Sequence, residues 1–510
     1  LSPVLTFLAF DSNIFLHAMI YDRRISFFQG FSCEMKKYKR GANVKIRRKH
    51  PVRVNHLGSD PIPQLVRRLA LPAMLAQFVN VLYSIIDRMY IGNIADVGDI
   101  ALAGVGICGP IVTMISAFAA WIGNGGAPLL SIKSGEQNKE GASAILANCF
   151  VLLLGMAVCL TIGAYLCKDA LLVWFGATER IFPYAETYMR IYLIGTVFAV
   201  LSLGLNQFII CQGFSNLGMV SVIIGAVLNI LLDPLFIFAL HMGVRGAAVA
   251  TVLSQAASCA FSLYILFRGP VPVKIRFHGY SFSVCRDVLT LGLTPFLIIL
   301  FDNVLIIVQN VMLKNYGGAD SDMLLTCNTI VQSFMLIITM PLSGISGGTQ
   351  SVLGYNYGAG DTARIRLAEK HILKTALLFC TIMFVFAQWD VSAGIFVGLF
   401  TQNAAYKSMT VHFIHIYMLS VIPLAVQYAL VDGLTGMSLV CASLPLSFFR
   451  KGIYIALAVF LPIRFGAPAM FYAEPLSDVV AAVVTTLVFV TVVPGLLRKR
   501  EALLGKHIEK

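Results

Sequence analysis

Charge is what this sequence lacks. Only 12% of its 510 residues are Asp, Glu, Lys or Arg, about half the quarter that a soluble globular chain carries. Apolar residues take their place, at 58% of the chain, and they gather in runs of roughly 20 or more, long enough to cross a bilayer. A soluble enzyme is excluded at this step, and the length divides into membrane spans rather than globular domains. Acidic residues are scarcer than basic ones, 25 against 38, for a net charge of +13. A basic surplus can mark a nucleic-acid binder, but here 11 Lys/Arg against 4 Asp/Glu fall within residues 1–60, and no basic groove interleaved with aromatics follows. No nucleic-acid partner is expected. Cysteine motifs are missing as well: the 11 cysteines form no C-x-x-C and have no His at zinc spacing. Most lie inside apolar runs and read as small apolar fillers rather than disulfides or metal ligands.

What is there is a series of twelve apolar segments, roughly 65–91, 100–131, 143–167, 183–211, 217–239, 246–267, 286–313, 323–354, 367–388, 411–432, 437–461 and 467–496. The expected fold is an all-α integral membrane protein of twelve transmembrane helices. Even-numbered connections carry the basic residues, among them Lys133, Lys139, Arg268, Lys274, Arg364, Lys370, Arg498 and Arg500, whereas odd ones hold Trp174, Asp320 and Trp389. By the positive-inside rule both termini face the cytoplasm, in a multi-pass protein of the cytoplasmic (inner) membrane. Residues 1–60 read as a basic, disordered extension, and 499–510 as a cytoplasmic tail. Met35 opens the basic run, so the first 34 residues are expected to be a translated upstream stretch; N-terminal sequencing tests this.

An internal repeat sets the architecture. Pro72 to Asp87 (PAMLAQFVNVLYSIID) aligns with Pro295 to Asn310 (PFLIILFDNVLIIVQN) at an offset of 223. Gly125 and Gly126 then map onto Gly347 and Gly348, Gly135 onto Gly358, Arg190 to Tyr192 onto His415 to Tyr417, and Gly246 onto Gly466. Six spans per repeat unit leave the two units in the same orientation. The expectation is two pseudo-symmetric six-helix bundles, 61–275 and 276–498, related by an axis along the membrane normal with a cavity between them.

Two motifs point elsewhere. Gly104-Val-Gly106-Ile-Cys-Gly109 matches the dinucleotide fingerprint, and Gly344-Ile-Ser346-Gly-Gly348 the hydrolase elbow. Each of those chemistries needs a strand, a turn and a helix in a parallel sheet, but both motifs lie inside apolar spans. Small residues that let helices approach closely explain them. His412 and His415 sit near an outer helix end with no triad or metal constellation around them.

Polar residues within the spans carry more information, since an intramembrane carboxylate costs at least ~2.5 kcal/mol and is by default functional. Gln77, Asn80, Ser84 and Asp87 are spaced 3, 4 and 3 and so share one face of the first span. Ser221, Gly225, Asn229 and Asp233 recur every four residues in the fifth, ahead of Pro234. Thr251, Gln255, Ser258 and Ser262 form a single stripe in the sixth. At ~1.5 Å per residue, Asp87, Asp233 and Thr251 fall at one depth in the outer half of the N-terminal bundle. Two carboxylates, an amide and a hydroxyl at one level suit proton exchange or a hard monovalent cation. In the C-terminal bundle Asp302 with Asn303, and Asp432 with Tyr428 one turn earlier, are further cavity candidates. Arg450 and Lys451 stand ready to neutralise one of these carboxylates.

These residues resemble those of the multidrug and toxic compound extrusion (MATE) transporters over about 60–500. The resemblance rests on DPIPQLVRRLALPAML from Asp60, IIDRMYIGN from Ile85, ALAGVGICGPI from Ala101, LNILLDPLF from Leu228 and GVRGAAVATVLSQ from Gly243. It implies two six-helix bundles that export organic cations in exchange for H⁺ or Na⁺ and need no cofactor. It also implies a coupling site of an Asp in the first span, Asn and Asp four apart in the fifth, and a Thr in the sixth: Asp87, Asn229, Asp233 and Thr251. The C-terminal half matches more loosely. Ile416 to Gly433 is five residues shorter than Ile191 to Gly213, and some family members carry an acid near Asn303.

The function expected is secondary active efflux of small organic cations by alternating access, with H⁺ or Na⁺ at Asp87, Asn229, Asp233 and Thr251, and Gln77, Asn80, Ser84, Gln255, Asp302, Asn303, Tyr428 and Asp432 as cavity residues. Aromatic and Met side chains, 35 Phe, 18 Tyr and 18 Met, can supply an adaptable apolar lining. The bilayer and the cations are the partners expected, and a monomer the working unit. One rival is a flippase for lipid-linked oligosaccharides, which calls for a cationic cavity. The other is an intramembrane enzyme, for which the spans offer neither a nucleophile–base pair nor a metal ligand set.

Overall fold

The computed structural model describes residues 55–508 apart from 95, 96, 176, 178, 401 and 402, so the extension expected before residue 55 lies outside the described residues. Every regular element among these residues is helical. Eleven helices are long and apolar enough to cross a membrane, and one bent pair makes a twelfth span. In chain order the spans are Ile62–Gly92, Ile100–Gly135, Lys139–Trp174, Phe182–Ile194 with Thr196–Ile210, Ser215–Ala239, Val244–Arg268, Phe282–Tyr316, Met323–Ala359, Thr362–Gln388, Ala404–Gly436, Val440–Phe465 and Ala467–Ala502. They are numbered first to twelfth below. A short helix, Asp390–Gly398, lies between the ninth and tenth.

The bent pair is the fourth span, broken at Gly195 by 57°. A Cβ on Gly195 would lie 2.4 Å from Cγ2 of Val252, so the sixth span presses into the break at the one residue without a side chain. Pro234 closes the α-helix of the fifth span, and a π-turn, Leu235–Ala239, completes it. Proline has no N–H to continue the ladder, and a π-turn is a common way of absorbing such a break at a functional site.

Buried apolar side chains form two separate clusters. One runs from Ile91 to Val288, the other from Leu305 to Leu497 and takes in Leu57 to Ala70. The first span therefore begins in the C-terminal cluster and ends in the N-terminal one. Residues 55–60, read from the sequence as the end of a disordered extension, are packed: Leu57 is buried, the Asn55 amide donates to Gly213 O at 2.8 Å, and Arg364 donates to Leu57 O and Asp60 O at 3.1 and 2.8 Å. The last helix runs on through most of the expected tail, to Ile508.

The repeat is written into the backbone. Six of the nine positive-φ residues among those described come in pairs, Gln137 (59°) with Gly360 (75°), Gly213 (88°) with Ser438 (59°), and Gly243 (57°) with Gly466 (86°); His241, Gly279 and Gly318 stand outside them. Each pair stands at the same turn of the two halves. The last pair moves the alignment by three residues, since Gly243 and not Gly246 is the counterpart of Gly466. Directly after the first pair, Asn138 and Asp361 cap their helices, accepting from Gly141 N at 2.8 Å and Arg364 N at 2.9 Å. Such caps are typically worth about 1 kcal/mol each.

Contacts between the halves repeat too. A Cβ on Gly125 would lie 2.2 Å from Val288 O, pinning the second span to the seventh, and Gly348 on the eighth, which stands opposite it at the offset of 223 in place of the Gly347 of the sequence alignment, meets Leu69 O of the first at 3.1 Å. Without a hydrophobic drive between helices in lipid, close backbone approach at small residues supplies the attraction.

Candidate cation site and central cavity

The polar stripes of the fifth and sixth spans face each other. In their inner half they act as helix–helix glue: Ser221 and Ser262 hydroxyls are 2.9 Å apart, Ser258 Oγ donates to Ser221 O at 2.8 Å, and a Cβ on Gly225 would lie 2.5 Å from Ser258 Oγ. In their outer half they form a site. Asn229 Nδ2 donates to Asp233 Oδ1 at 3.3 Å, and both residues are buried, Asp233 completely. Asp87 comes from the first span and brings its carboxyl near that of Asp233. Thr251 donates to Ala247 O at 3.0 Å and lies beside Tyr188, as Gln255 lies beside Tyr192. Tyr83 lies close enough to feel both carboxylates. The structure thus brings Asp87, Asn229, Asp233 and Thr251 together and adds three tyrosines that no polar stripe announces.

Donors run short at this point. Asp87 Oδ1, Asp233 Oδ2, Asn229 Oδ1 and Gln255 Oε1 are buried without a donor within the protein. Arg88, the chain neighbour of Asp87, is exposed. Buried acceptors without partners are costly, and two adjacent carboxylates cannot both keep a charge cheaply in a low dielectric. A proton shared between the carboxyls, or a monovalent cation held by these oxygens, would answer both demands.

Two cavities adjoin. One, of about 200 Å³, lies within the N-terminal half, and Asn80, Tyr83, Tyr192, Asn229, Thr251 and Gln255 line it. Asp87 and Asp233 are not part of this lining. The other, of about 230 Å³, lies between the halves, where Gln77, Asn124, Thr294, Gln350, Asp432 and Thr435 line it; Asn206 lines both cavities. Asp432, which accepts a hydrogen bond from Ser346, is the one charged side chain in either lining. The serine of the hydrolase-like motif is thus spent on a carboxylate.

The remaining candidates lie elsewhere. Ser84 and Tyr428 line neither cavity, and Asn303 donates to Ile299 O of its own helix at 2.9 Å. Asp302 pairs with Lys451, whereas Arg450 is held by Glu474 at 2.9 Å and Asp478 at 2.5 Å. Glu474, Asp478 and Glu369 escape the sequence reading. The first two open the twelfth span and look like an outer connection, and Glu369 hides among Arg364, Arg366, Lys370 and Lys374. Scanning for any acid within a span would have found all three.

The MatE family model matches residues 72–235 and again 296–460, one stretch in each half. The chain belongs to the MatE family. Among curated relatives of this MatE chain, the probable multidrug resistance protein YpnP of Bacillus subtilis (strain 168) is 27% identical over 299 residues, 58% of this chain and 65% of that protein. The multidrug export protein MepA of Staphylococcus aureus (strain N315) is 22% identical over 369 residues, 71% of this chain and 79% of that protein. Among solved structures, an outward-facing multidrug resistance MATE family transporter of the MOP superfamily superposes with a TM-score of 0.79 at 25% identity, covering 89% of this chain and 100% of that one. A MATE crystal structure in the straight conformation gives 0.80 at 24% identity, with coverage of 89% and 100%. The chain is therefore a multi-pass helical membrane protein of a transporter family.

Proposed function

We propose that the chain exports lipophilic organic cations by antiport with H⁺ or Na⁺, from the cytoplasmic membrane and with both termini in the cytoplasm. The observation that carries this reading is the meeting of Asp87, Asn229, Asp233 and Thr251 at one buried point with more acceptors than donors. Competition is the mechanism. The acidic site and the adjoining cavities cannot hold a lipophilic cation and the coupling ion strongly at once, so an external ion entering at Asp87 and Asp233 expels the substrate outward. The bundles 61–275 and 276–498 then rock about their common axis and return the ion inward. Membrane potential adds ~2.3 kcal/mol per charge per 100 mV, enough to drive accumulation of a monocation. One copy contains both halves of the cavity, so a monomer suffices.

The cavity linings favour a cation over an anionic headgroup, since their one charged side chain is Asp432 and no Lys or Arg reaches them. The deciding experiment follows a fluorescent organic cation in proteoliposomes under a pH gradient and then a Na⁺ gradient, with Asp87→Asn and Asp233→Asn as controls. Movement under one gradient that both variants abolish supports antiport and names the ion. A folded protein that moves the dye under neither gradient overturns the reading and favours a flippase.

A further inference from the structure

The twelfth span carries two buried acids that the antiport reading does not use, and the repeat gives them a meaning. Gly243 and Gly466 set an offset of 223 between the sixth and twelfth spans, and Gly213 and Ser438 one of 225 between the fifth and eleventh. The fifth-span α-helix is unbroken up to Pro234, so the π-turn and the residues after it absorb the difference. Tyr192 and Tyr417 also stand 225 apart. Five residues that line the N-terminal cavity, Tyr192, Gly225, Asn229, Thr251 and Gln255, therefore correspond to Tyr417, Arg450, Tyr454, Glu474 and Asp478. The two N-terminal acids have no acidic counterpart, since Asp87 falls on Asn310 and Asp233 on Ala458.

In the C-terminal half the corresponding space is filled from within. Arg450 stands where the N-terminal half has Gly225, and its guanidinium crosses to the counterparts of Thr251 and Gln255. Nη2 lies 2.9 Å from Glu474 Oε1, and Nε lies 2.5 Å from Asp478 Oδ1. The tyrosines are taken up by neighbouring amides: Gln309 donates to Tyr454, and Gln332 donates to Tyr417 Oη at 2.9 Å. Lys451, the next residue, is held by Asp302. Asp478 is fully buried, and its Oδ2 meets no donor, so one guanidinium does not satisfy all the oxygens placed around it. Packing alone does not call for such a group, because a buried ion cluster is commonly no more stabilising than apolar residues of the same volume. Two carboxylates facing one pocket are a ligand set for a planar cation with several N–H donors.

We propose that this is the counterpart of the N-terminal polar cavity, built for a small cation and occupied by the tethered guanidinium of Arg450, so that it takes a mobile cation only when that side chain is removed. The ligand it then accepts is an alkylguanidinium of the volume lost. A tethered cation cannot be exchanged, so this point of the C-terminal half is no stop for a transported ion. The assignment rests on the repeat and the contacts, and stands whether or not the antiport reading holds.

Chemical rescue of the full-length protein in detergent tests it. Arg450→Ala removes the equivalent of ethylguanidinium. Its melting temperature is expected to fall, and millimolar ethylguanidinium to raise it saturably, recovering about half of the loss or more, with no such rise in wild type. Ethylurea, similar in shape but uncharged, should not rescue, whereas a packing role for Arg450 predicts that it does. Adding Glu474→Gln and Asp478→Asn to Arg450→Ala should abolish the response. Adding Asp233→Asn instead should leave it intact, which keeps this pocket apart from the N-terminal site. Should Arg450→Ala fail to fold, the Arg450→Ala, Glu474→Gln double variant, with one carboxylate left to match, is read in its place. Equal rescue by ethylurea, or no saturable rise with ethylguanidinium in either variant, overturns the proposal.

Discussion

Gly135 and Gly358 meet across the pseudo-two-fold axis. A Cβ on Gly135 would lie 1.9 Å from Tyr355 O, and one on Gly358 2.1 Å from Ile132 O. Ile132 stands to Gly135 as Tyr355 stands to Gly358, so the contact is self-complementary, like an isologous interface inside one chain. It lies at the end of the second and eighth spans where the basic connections begin. Gly135→Val or Gly358→Val is therefore expected to hold that end open, by the same amount in either variant, and to lower efflux at least ~10-fold. A cysteine placed at Ser351 should become reactive to an impermeant thiol reagent from the basic side, while the melting temperature in detergent stays close to wild type.

An ionic cluster at the same end would act as a latch on that contact. Arg500 Nη2 lies 2.5 Å from Glu136 Oε1, Lys133 Nζ 2.7 Å from Oε2, and the Arg500 guanidinium 5.2 Å from the Tyr357 ring. Burial alone pushes the Glu136 carboxyl up, but the hydrogen bonds and charges of Lys133 and Arg500 outweigh it and hold Glu136 below the ordinary glutamate range. A depressed carboxylate stabilises the closed state fully above its free value and loses that contribution as pH falls through its lowered one. The latch is thus complete above roughly pH 5 and fails only in stronger acid. Glu136→Gln or Arg500→Gln should shift the equilibrium toward opening by about 0.5–1 kcal/mol, roughly 2- to 5-fold, as expected for a partly exposed pair. Spin-label distances across positions 137 and 355 at neutral pH measure it; an unchanged distribution in both variants would discard the latch.

At the cation site the four residues should not weigh equally. Asp87→Asn and Asp233→Asn each remove a charge from a point short of donors, and gradient-driven efflux is expected to fall at least ~10-fold, about 1.4 kcal/mol or more. Thr251 already donates to Ala247 O, so Thr251→Ala should cost only ~2- to 5-fold, the scale of one neutral hydrogen bond. Equal losses in all three variants would mean that the site fails as a packed unit and not through its charges.

The spans and the N-terminal site were legible because lipid leaves strong marks: apolar runs of bilayer length, and acids where acids are expensive. Asp87, Asn229, Asp233 and Thr251 stand out on single helix faces and meet as that spacing implies. Other members of the same stripes do not reveal their use. Ser221, Ser258 and Ser262 spend their hydroxyls on helix contacts, and a period of four looks the same whether it faces a cavity or a neighbour. Gly195 gives no local sign of the 57° bend, which Val252 of another span imposes. Glu369 was hidden by its sequence neighbours, since charge along the chain says little about charge in space once a helix turns them outward.

Asp302 and Arg450 differ in how much the fold depends on them. The Asp302 side chain is 48% exposed beside Lys451, whereas Arg450 is 12% exposed between Glu474 and Asp478, the latter at 0%. Removing one member of a buried ion group leaves uncompensated charge at a cost of about 3–5 kcal/mol, while replacing the whole group is close to neutral. Arg450→Met is therefore expected to prevent folding or lower the melting temperature sharply, and the triple change Arg450→Met, Glu474→Gln, Asp478→Asn to recover most of the loss. Lys451→Met should cost about 1 kcal/mol, because solvent screens the partner left behind, and adding Asp302→Asn should remove that cost. A double-mutant cycle on melting temperature separates the cases. A Lys451→Met variant as unstable as Arg450→Met would place Asp302 in a far drier setting than its exposure implies.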